Sequence, residues 1–476
     1  MDETTRDAMM ALLERQKAAF VAARPEPLST RHERLERCAR ILLDHGDALA
    51  KAMSADFGHR SHEQSMLTDV MPALSLVRYS QKRMKAWSKP EKRHVNFPLG
   101  LLGARAEVRY EPKGVIGIVA PWNFPVGLTF GPLAQALAAG NRAMLKPSEF
   151  TERTSELMAE LFAKAFSAEE VAVVLGGPQT GQDFCSLAFD HLLFTGATSI
   201  GKHVLHAAAD NLVPVTLELG GKSPTVLGKG VDVAMAADRI ALGKTMNAGQ
   251  ICLAPDYLLV PQALEMQTIG ALQASVAKMY PTMLANDDYT SVINRRHRDR
   301  LVGLVDDAVA KGAEAIVVNP GAETFEGSNG NKLPLTILRH VTDDMKVMQD
   351  EIFGPVLPIK TYQGIDQAID YINAHDRPLG LYYFGDDSVE REAVLGRTIS
   401  GGVSLNDVIF HVSADDLPFG GIGPSGMGSY HGIEGFRSFS HGRAVYTQPK
   451  INVAGLAGLM PPYGKATART LKMQLK

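Results

Sequence analysis

At 476 residues, with 45% hydrophobic and 21% charged residues, the chain has a globular composition and the length for two or three domains. The formal net charge of −3 supplies no basic field for nucleic acid. The three cysteines, Cys38, Cys185 and Cys252, lie too far apart for a disulfide framework, a Cys-x-x-Cys pair or a zinc ribbon. That usage fits a reducing compartment, so a cytoplasmic location is expected. The acidic start, Met1-Asp2-Glu3, shows no basic region ahead of an apolar core, and no export signal is expected.

Residues 4–23 and 30–55 carry helical periodicity, with Leu35, Cys38, Ile41, Leu42, Leu49 and Met53 on one apolar face. A further helix is expected over 62–88, its inner face marked by Leu67, Val70, Leu74 and Val77. Residues 104–111 then alternate small or apolar with charged side chains, the period of a half-exposed strand and a candidate projecting arm. From Gly114 to Gly140 no residue is charged, yet Pro121, Asn123, Pro125 and Pro132 interrupt the run. A buried strand, loop and helix, rather than a membrane span, is the reading there.

Strand and helix alternate from this point. Strands are expected at 115–120, 141–146, 171–175 and 191–195, with helices at 131–139, 152–166 and 179–185 and another opening at Thr198. Such a run builds a parallel sheet with helices on both faces. A second series follows Glu218: strands 224–227, 257–260, 315–318 and 402–405, with helices 232–247, 262–278, 295–311 and 365–374. Gly-, Pro- and Asn-rich breaks at 319–334 and 418–428 read as surface loops. The apolar stretch 451–460 is too short to span a bilayer. The residues after it carry Lys465, Arg469, Lys472 and Lys476, a solvated tail with membrane-surface contact as the alternative.

The chemistry converges on Asn247-Ala248-Gly249-Gln250-Ile251-Cys252, where a helical run ends and a tight loop begins. A thiol there has both access and backbone N–H donors, the needs of a covalent nucleophile; the alternative is a small buried hydrophobe. Cys38 and Cys185 sit on helix faces and read as packing. Glu218 ends an apolar strand just before Gly220-Gly221, at the carboxyl edge where ligands of parallel sheets gather. It is either a strand-end cap or a general base. Asn123, between Trp122 and Phe124, is an oxyanion donor or a turn former before Pro125. Lys146 and Glu149 follow another strand end and can hold ribose hydroxyls; otherwise they are a surface turn with Ser148 or Thr151 as a helix cap. Thr195-Gly196-Ala197-Thr198 leads into a helix whose N-terminus can take a pyrophosphate. His203 and His206 share a helix face without a third ligand, and no metal site is expected.

Seven segments in order resemble the aldehyde dehydrogenase superfamily over nearly the whole chain. They are Pro-Trp-Asn-Phe-Pro (121–125), Lys-Pro-Ser-Glu (146–149), Phe-Thr-Gly-Ala-Thr-Ser-Ile-Gly (194–201) and Leu-Glu-Leu-Gly-Gly-Lys-Ser-Pro (217–224). Gly-Gln-Ile-Cys (249–252), Glu-Ile-Phe-Gly-Pro (351–355) and Pro-Phe-Gly-Gly-Ile-Gly-Pro-Ser-Gly (418–426) complete the set. The resemblance implies an α/β fold: a Rossmann-type cofactor domain (1–88 and 113–216), an α/β catalytic domain (217–415), a β oligomerisation arm (89–112 and 416–446) and a C-terminal tail (447–476). It implies Cys252 as nucleophile, Glu218 as general base, and Asn123 with the Cys252 N–H as oxyanion hole. Lys146 and Glu149 would hold the adenosine ribose and Glu351 the nicotinamide ribose, with Phe353 packing nearby. Trp122, Thr195, Gly196 and Thr198 would also face the cofactor, NAD with NADP as an alternative. A homodimer is implied.

The short N-terminus and Cys-Leu-Ala-Pro-Asp-Tyr (252–257) resemble the class 3-type branch. Three further segments, at 276–282, 381–385 and 415–421, resemble bacterial coniferyl aldehyde dehydrogenases. Two departures stand out: Ala197 where many relatives have serine, and Ser199 where many have glutamate. The expected reaction is oxidation of an aromatic aldehyde to its acid, with Phe124 and Phe410 as candidate pocket walls. The alternatives are a fatty-aldehyde enzyme, a CoA-acylating enzyme, against which Glu218 argues, and a non-catalytic binding protein on the same scaffold.

Overall fold

Near-continuous apolar runs, rather than alternating ones, mark strands buried on both faces, and two such sheets dominate the structure. The computed structural model describes residues 3–475 apart from 98, 326, 328 and 329. Its strands, in chain order, begin with β1 (Glu91–Arg93), β2 (Arg105–Pro112), β3 (Val115–Val119), β4 (Arg142–Lys146), β5 (Val171–Val173), β6 (His191–Thr195) and β7 (Val215–Glu218). They continue with β8 (Pro224–Leu227), β9 (Tyr257–Pro261), β10 (Glu314–Val318), β11 (Leu335–Arg339), β12 (Val356–Tyr362), β13 (Gly380–Phe384), β14 (Gly402–Leu405), β15 (Gly426–Met427) and β16 (Ser440–Thr447). One sheet runs β15-β7-β6-β3-β4-β5 and the other β10-β11-β12-β9-β8-β13-β14; each is parallel except for one terminal strand, β15 and β10 respectively. The third, β1-β2-β16, is antiparallel, with Arg105–Pro112 paired along its full length to Ser440–Thr447 and largely exposed. The alternating segment 104–111 is therefore a strand, as its pattern predicts.

Helix Leu28–Phe57 buries the predicted face, Leu35, Cys38, Ile41, Leu42, Leu49 and Met53. The expected helix over 62–88 differs at its start. A π turn spans Met66–Val70 before the helix Met71–Trp87, and Leu67 is 58% exposed rather than inward. The extra residue in a π turn shifts the phase of the buried stripe, so one face cannot be read through it. Val70 and Val77 remain buried.

The helix expected from Gly131 begins at Gly127 and carries Pro132 inside it. Tertiary structure extends it: the Asp69 carboxylate accepts the Gly127 N–H at its start. The helix expected over 232–247 ends at Thr245, because Asn247, Ala248 and Gly249 turn left-handed. The strands β11, β12 and β13, which the sequence reading leaves unassigned, supply three of the seven positions in the second sheet. No helix among the described residues is long and apolar enough to cross a membrane.

Candidate active site

Four strands of the first sheet end at one level. Val119 of β3 is opposite both Lys146 of β4 and Phe194 of β6, and Thr195 is opposite Glu218 of β7. A cleft of about 220 Å³ opens at this edge. It brings together Trp122, Asn123, Thr195, Gly196, Glu218 and Cys252, all singled out in the sequence, with Glu351 and Phe353 from the segment before β12.

The loop that presents the thiol is built from unusual backbone. Helix Val233–Thr245 gives way to Asn247, Ala248 and Gly249 at φ of 50°, 52° and 72°. Gln250 then ties the loop down. Its amide donates to Asn247 O (2.9 Å) and Ser291 O (3.0 Å), and its carbonyl accepts the Ile293 N–H (2.9 Å). Cys252 follows, half-buried.

Asn123 is 3% exposed and is joined to the same loop. Its side-chain amide donates to Gln250 O at 3.1 Å. Its backbone carbonyl accepts Asn247 Nδ2 at 3.1 Å and Arg60 Nη1 at 2.8 Å. A buried amide tethered this way is pre-set rather than free to rotate, the property an oxyanion donor needs.

Glu218 is 2% exposed and neither carboxylate oxygen has a hydrogen-bond partner. Burial raises its pKa well above the carboxylate range. Burial first, then the neighbouring Asp256, pushes Glu351 up to about 8, against the opposing Gly221 N–H. The Cys252 thiol is pushed up to about 12, by burial and then by the charges of Glu351 and Glu218. Thus a thiol and two carboxyls share one dry space, each favouring its neutral form. Arg300 lines the cleft and donates to Glu351 O (3.3 Å) and Ile352 O (2.5 Å).

The Glu351 segment is held from below. Lys222 pairs with Asp256 and donates to Val347 O (2.8 Å) and Asp350 O (2.9 Å), while Asp256 Oδ2 accepts the Ile352 N–H at 2.9 Å. Phe353 then stands edge-on to Trp122, ring centroids 5.3 Å apart. Gly220 leaves the space that the Glu351 carboxylate occupies: a Cβ there would meet it at 1.9 Å and push that side chain aside.

Lys146, Glu149 and Thr198 are outside the residues lining the cleft. Lys146 closes β4, 3% exposed, with Nζ 3.9 Å from Glu149 and donating to Pro147 O at 2.8 Å. Ser148 caps the turn between them by accepting the Phe150 N–H at 3.2 Å. Thr198 opens the helix Thr198–Ala209, its hydroxyl on Pro424 O at 3.1 Å. Ala197 lines the cleft and Ser199 is exposed. The groups fit a nicotinamide dinucleotide: Thr195 Oγ1 and Glu351 Oε1 are buried without partners, ready for polar hydroxyl or amide groups, and Trp122 and Phe353 supply flat apolar walls.

Phe124 and Phe410 do not line the cleft. Phe124 packs over the Arg60 guanidinium at 5.1 Å, and Phe410 is 44% exposed. Cys38 and Cys185 are buried. Among the described residues no group of three or more His, Cys, Asp or Glu is placed to hold a metal ion. His297 and Arg300 line the cleft without any motif announcing them; the sequence reading places them only within the helix expected over 295–311.

Comparison with known proteins agrees with this geometry. The model of the aldehyde dehydrogenase family matches residues 1–445. A Caulobacter vibrioides protein described as "Probable coniferyl aldehyde dehydrogenase" is 55% identical, covering 98% of this chain and 97% of its own length. The coniferyl aldehyde dehydrogenase of a Pseudomonas strain is 50% identical, covering 97% and 95%. Among solved structures, substrate-bound Staphylococcus aureus AldH superposes with a TM-score of 0.90 at 34% identity, covering 98% and 99%. Betaine aldehyde dehydrogenase from Staphylococcus aureus, a P449M variant solved with NAD+, has a TM-score of 0.85 at 25% identity, covering 96% and 92%. The chain belongs to the aldehyde dehydrogenase family and is an NAD(P)-dependent oxidoreductase acting on aldehydes.

Proposed function

We propose that the chain oxidises coniferyl aldehyde, or an aromatic aldehyde like it, to the carboxylic acid through a thiohemiacetal and a thioester on Cys252. The observation that carries the mechanism is the meeting in one cleft of the Cys252 thiol, the tethered Asn123 amide and the unpartnered Glu218 carboxyl. The aromatic substrate is supported by the two relatives of 55% and 50% identity named for coniferyl aldehyde.

Cys252 gives up its proton to solvent as the aldehyde enters, and Sγ forms a bond to the aldehyde carbon. The oxygen that gains charge is held by the Asn123 amide and the Cys252 N–H. When bound, NAD(P)+ supplies the hydride acceptor that turns the thiohemiacetal into a thioester. Glu218 then takes a proton from water, the hydroxyl adds to the thioester carbon, and the C–S bond breaks to release acid and restore the thiol. Because burial raises the Glu218 pKa, the base is less available as pH falls, and turnover falls with it.

Lys146 and Glu149 would hold the adenosine ribose and Glu351 the nicotinamide ribose, with Trp122 and Phe353 as walls and Thr195, Gly196 and Thr198 near the pyrophosphate. A carboxylate at Glu149 favours NAD over a 2′-phosphate. At 3.9 Å from Lys146 and 34% exposed, it has room to turn aside for NADP. A cytoplasmic homodimer joined through the exposed β2–β16 arm completes the reading.

The test is rapid-mixing NADH formation by the wild type and Glu218→Gln, with coniferaldehyde or decanal, NAD+ and no CoA. We expect coniferaldehyde to give the higher kcat/KM. Glu218→Gln should keep a burst of one NADH per subunit while its steady turnover falls at least about a hundredfold. Unchanged steady turnover removes Glu218 as the base, and preference for decanal removes the aromatic substrate.

A further inference from the structure

We propose that Arg60, backed by Asp69, is a positioning residue that sets the oxyanion donor Asn123; this rests on the role given to Asn123 above. Arg60 is 1% exposed and its guanidinium lies between the rings of Phe57 and Phe124, 5.1 Å from each centroid. It does not line the cleft, and its contact with the site runs through Asn123. Its Nη1 donates to the Asn123 carbonyl at 2.8 Å, and its Nη2 lies 3.4 Å from Asp69 Oδ2. The other oxygen of Asp69 accepts the Gly127 N–H. One buried ion pair therefore grips the loop 123–127 at both ends.

The geometry gives that grip a direction. The Asn123 carbonyl is held by Arg60 from one side and by Asn247 Nδ2 from the other, which leaves the side-chain amide aimed at the cysteine loop and bonded to Gln250 O. The same short segment reaches the loop's other end, where Gln64 Oε1 accepts the Asn247 N–H at 3.1 Å. Both halves of the oxyanion site are thus referenced to residues 60–69. A fully buried ion pair is a weak device for stability, since desolvation offsets most of its attraction. Fixed geometry is the better account: misplacing a donor by a fraction of an ångström costs rate without costing the fold.

The test uses the full chain with Arg60→Met, Arg60→Lys, Asp69→Asn, Asn123→Ala and the double variant Arg60→Met/Asn123→Ala. Steady-state kcat and KM are measured with coniferaldehyde and NAD+, beside the rate of Cys252 alkylation by iodoacetamide. Alkylation builds no oxyanion, so it reports an intact thiol loop independently of the donor. Asn123→Ala should lose about 100- to 1,000-fold in kcat. Arg60→Met should lose roughly 10- to 100-fold in kcat, with KM and alkylation within about threefold of wild type. Arg60→Lys should lie between, and the double variant should be no more than about threefold slower than Asn123→Ala, because both changes remove one function.

Losses that multiply, or alkylation that falls in step with kcat, overturn the positioning role. Should Arg60→Met fail to fold, Arg60→Lys and Asp69→Asn answer the question by the same comparison, their losses vanishing in the Asn123→Ala background. An impaired Asn123→Ala beside a fully active Arg60→Met sinks this proposal alone; a fully active Asn123→Ala sinks the oxyanion assignment and this proposal with it.

Discussion

The thiol owes its placement to three residues whose backbone is held left-handed before it. Asn247 and Ala248 carry side chains at positive φ, which costs of order 1 kcal/mol each, and persists because Gln250 and Asn123 over-determine the loop. Gly249 leaves no room for a side chain. A Cβ there would meet Gly354 O at 2.5 Å and Lys244 O at 2.9 Å, both main-chain atoms that cannot turn aside. Gly249→Ala is therefore expected to lower stability by roughly 1–3 kcal/mol and to lower kcat beyond what partial unfolding explains. Urea unfolding and kcat, measured on the same samples, check it; wild-type values in both would show that the loop has slack. At this scale the motif residues were legible because each needs a particular chemistry at a particular strand end or turn. Arg60, His297 and Arg300 were not, since a polar side chain in a local sequence window looks solvated until another element covers it.

Among elements, β12 shows how a strand with no clear local signature becomes central. It pairs with β11 at Ile337↔Leu357 and with β9 at Ile359↔Leu258, so it is covered along both edges, and the segment that leads into it carries Glu351 and Phe353. Leu357 is fully buried in the larger hydrophobic core. Leu357→Ala should cost about 2–5 kcal/mol, the range for a buried leucine replaced by alanine. Its urea midpoint should fall accordingly while KM for the aldehyde holds in the folded fraction; a change in KM with no loss of stability would contradict this placement. The sequence reading missed β11–β13 because their apolar runs are short, with Pro358 inside β12 and Gly380 opening β13, residues that weaken a strand signal. The π turn at Met66–Val70 was hidden for a related reason: Leu67 fits a helical stripe until one extra residue rotates it outward.

At the scale of the molecule, Lys113, just past the end of β2, reaches the first sheet through a polar chain. Lys113 Nζ donates to His191 Nδ1 at 2.9 Å, and His191 Nε2 donates to Thr216 Oγ1 at 2.9 Å. Burial, and then the Lys113 charge, pushes His191 down to about 3. An unfolded histidine titrates near 6.5, so between about 3 and 6.5 the unfolded chain binds the extra proton. His191 thus contributes stability that is complete above pH 6.5 and is lost as pH falls through that window. The difference in urea midpoint between wild type and His191→Gln should shrink as pH falls from 7 toward 4; a difference independent of pH would mean that His191 is charged in the folded state. The sequence by itself determined the parallel α/β architecture and the strand at 104–111, because periodicity is a local property, and it singled out Cys252, Glu218 and Asn123 as the candidates for chemistry. Tertiary structure alone decided that His297 and Arg300 line the cleft, how the Asn123 loop is gripped, and that three acids share one dry space. Those depend on distances between elements far apart in the chain, and no spacing within one segment encodes them.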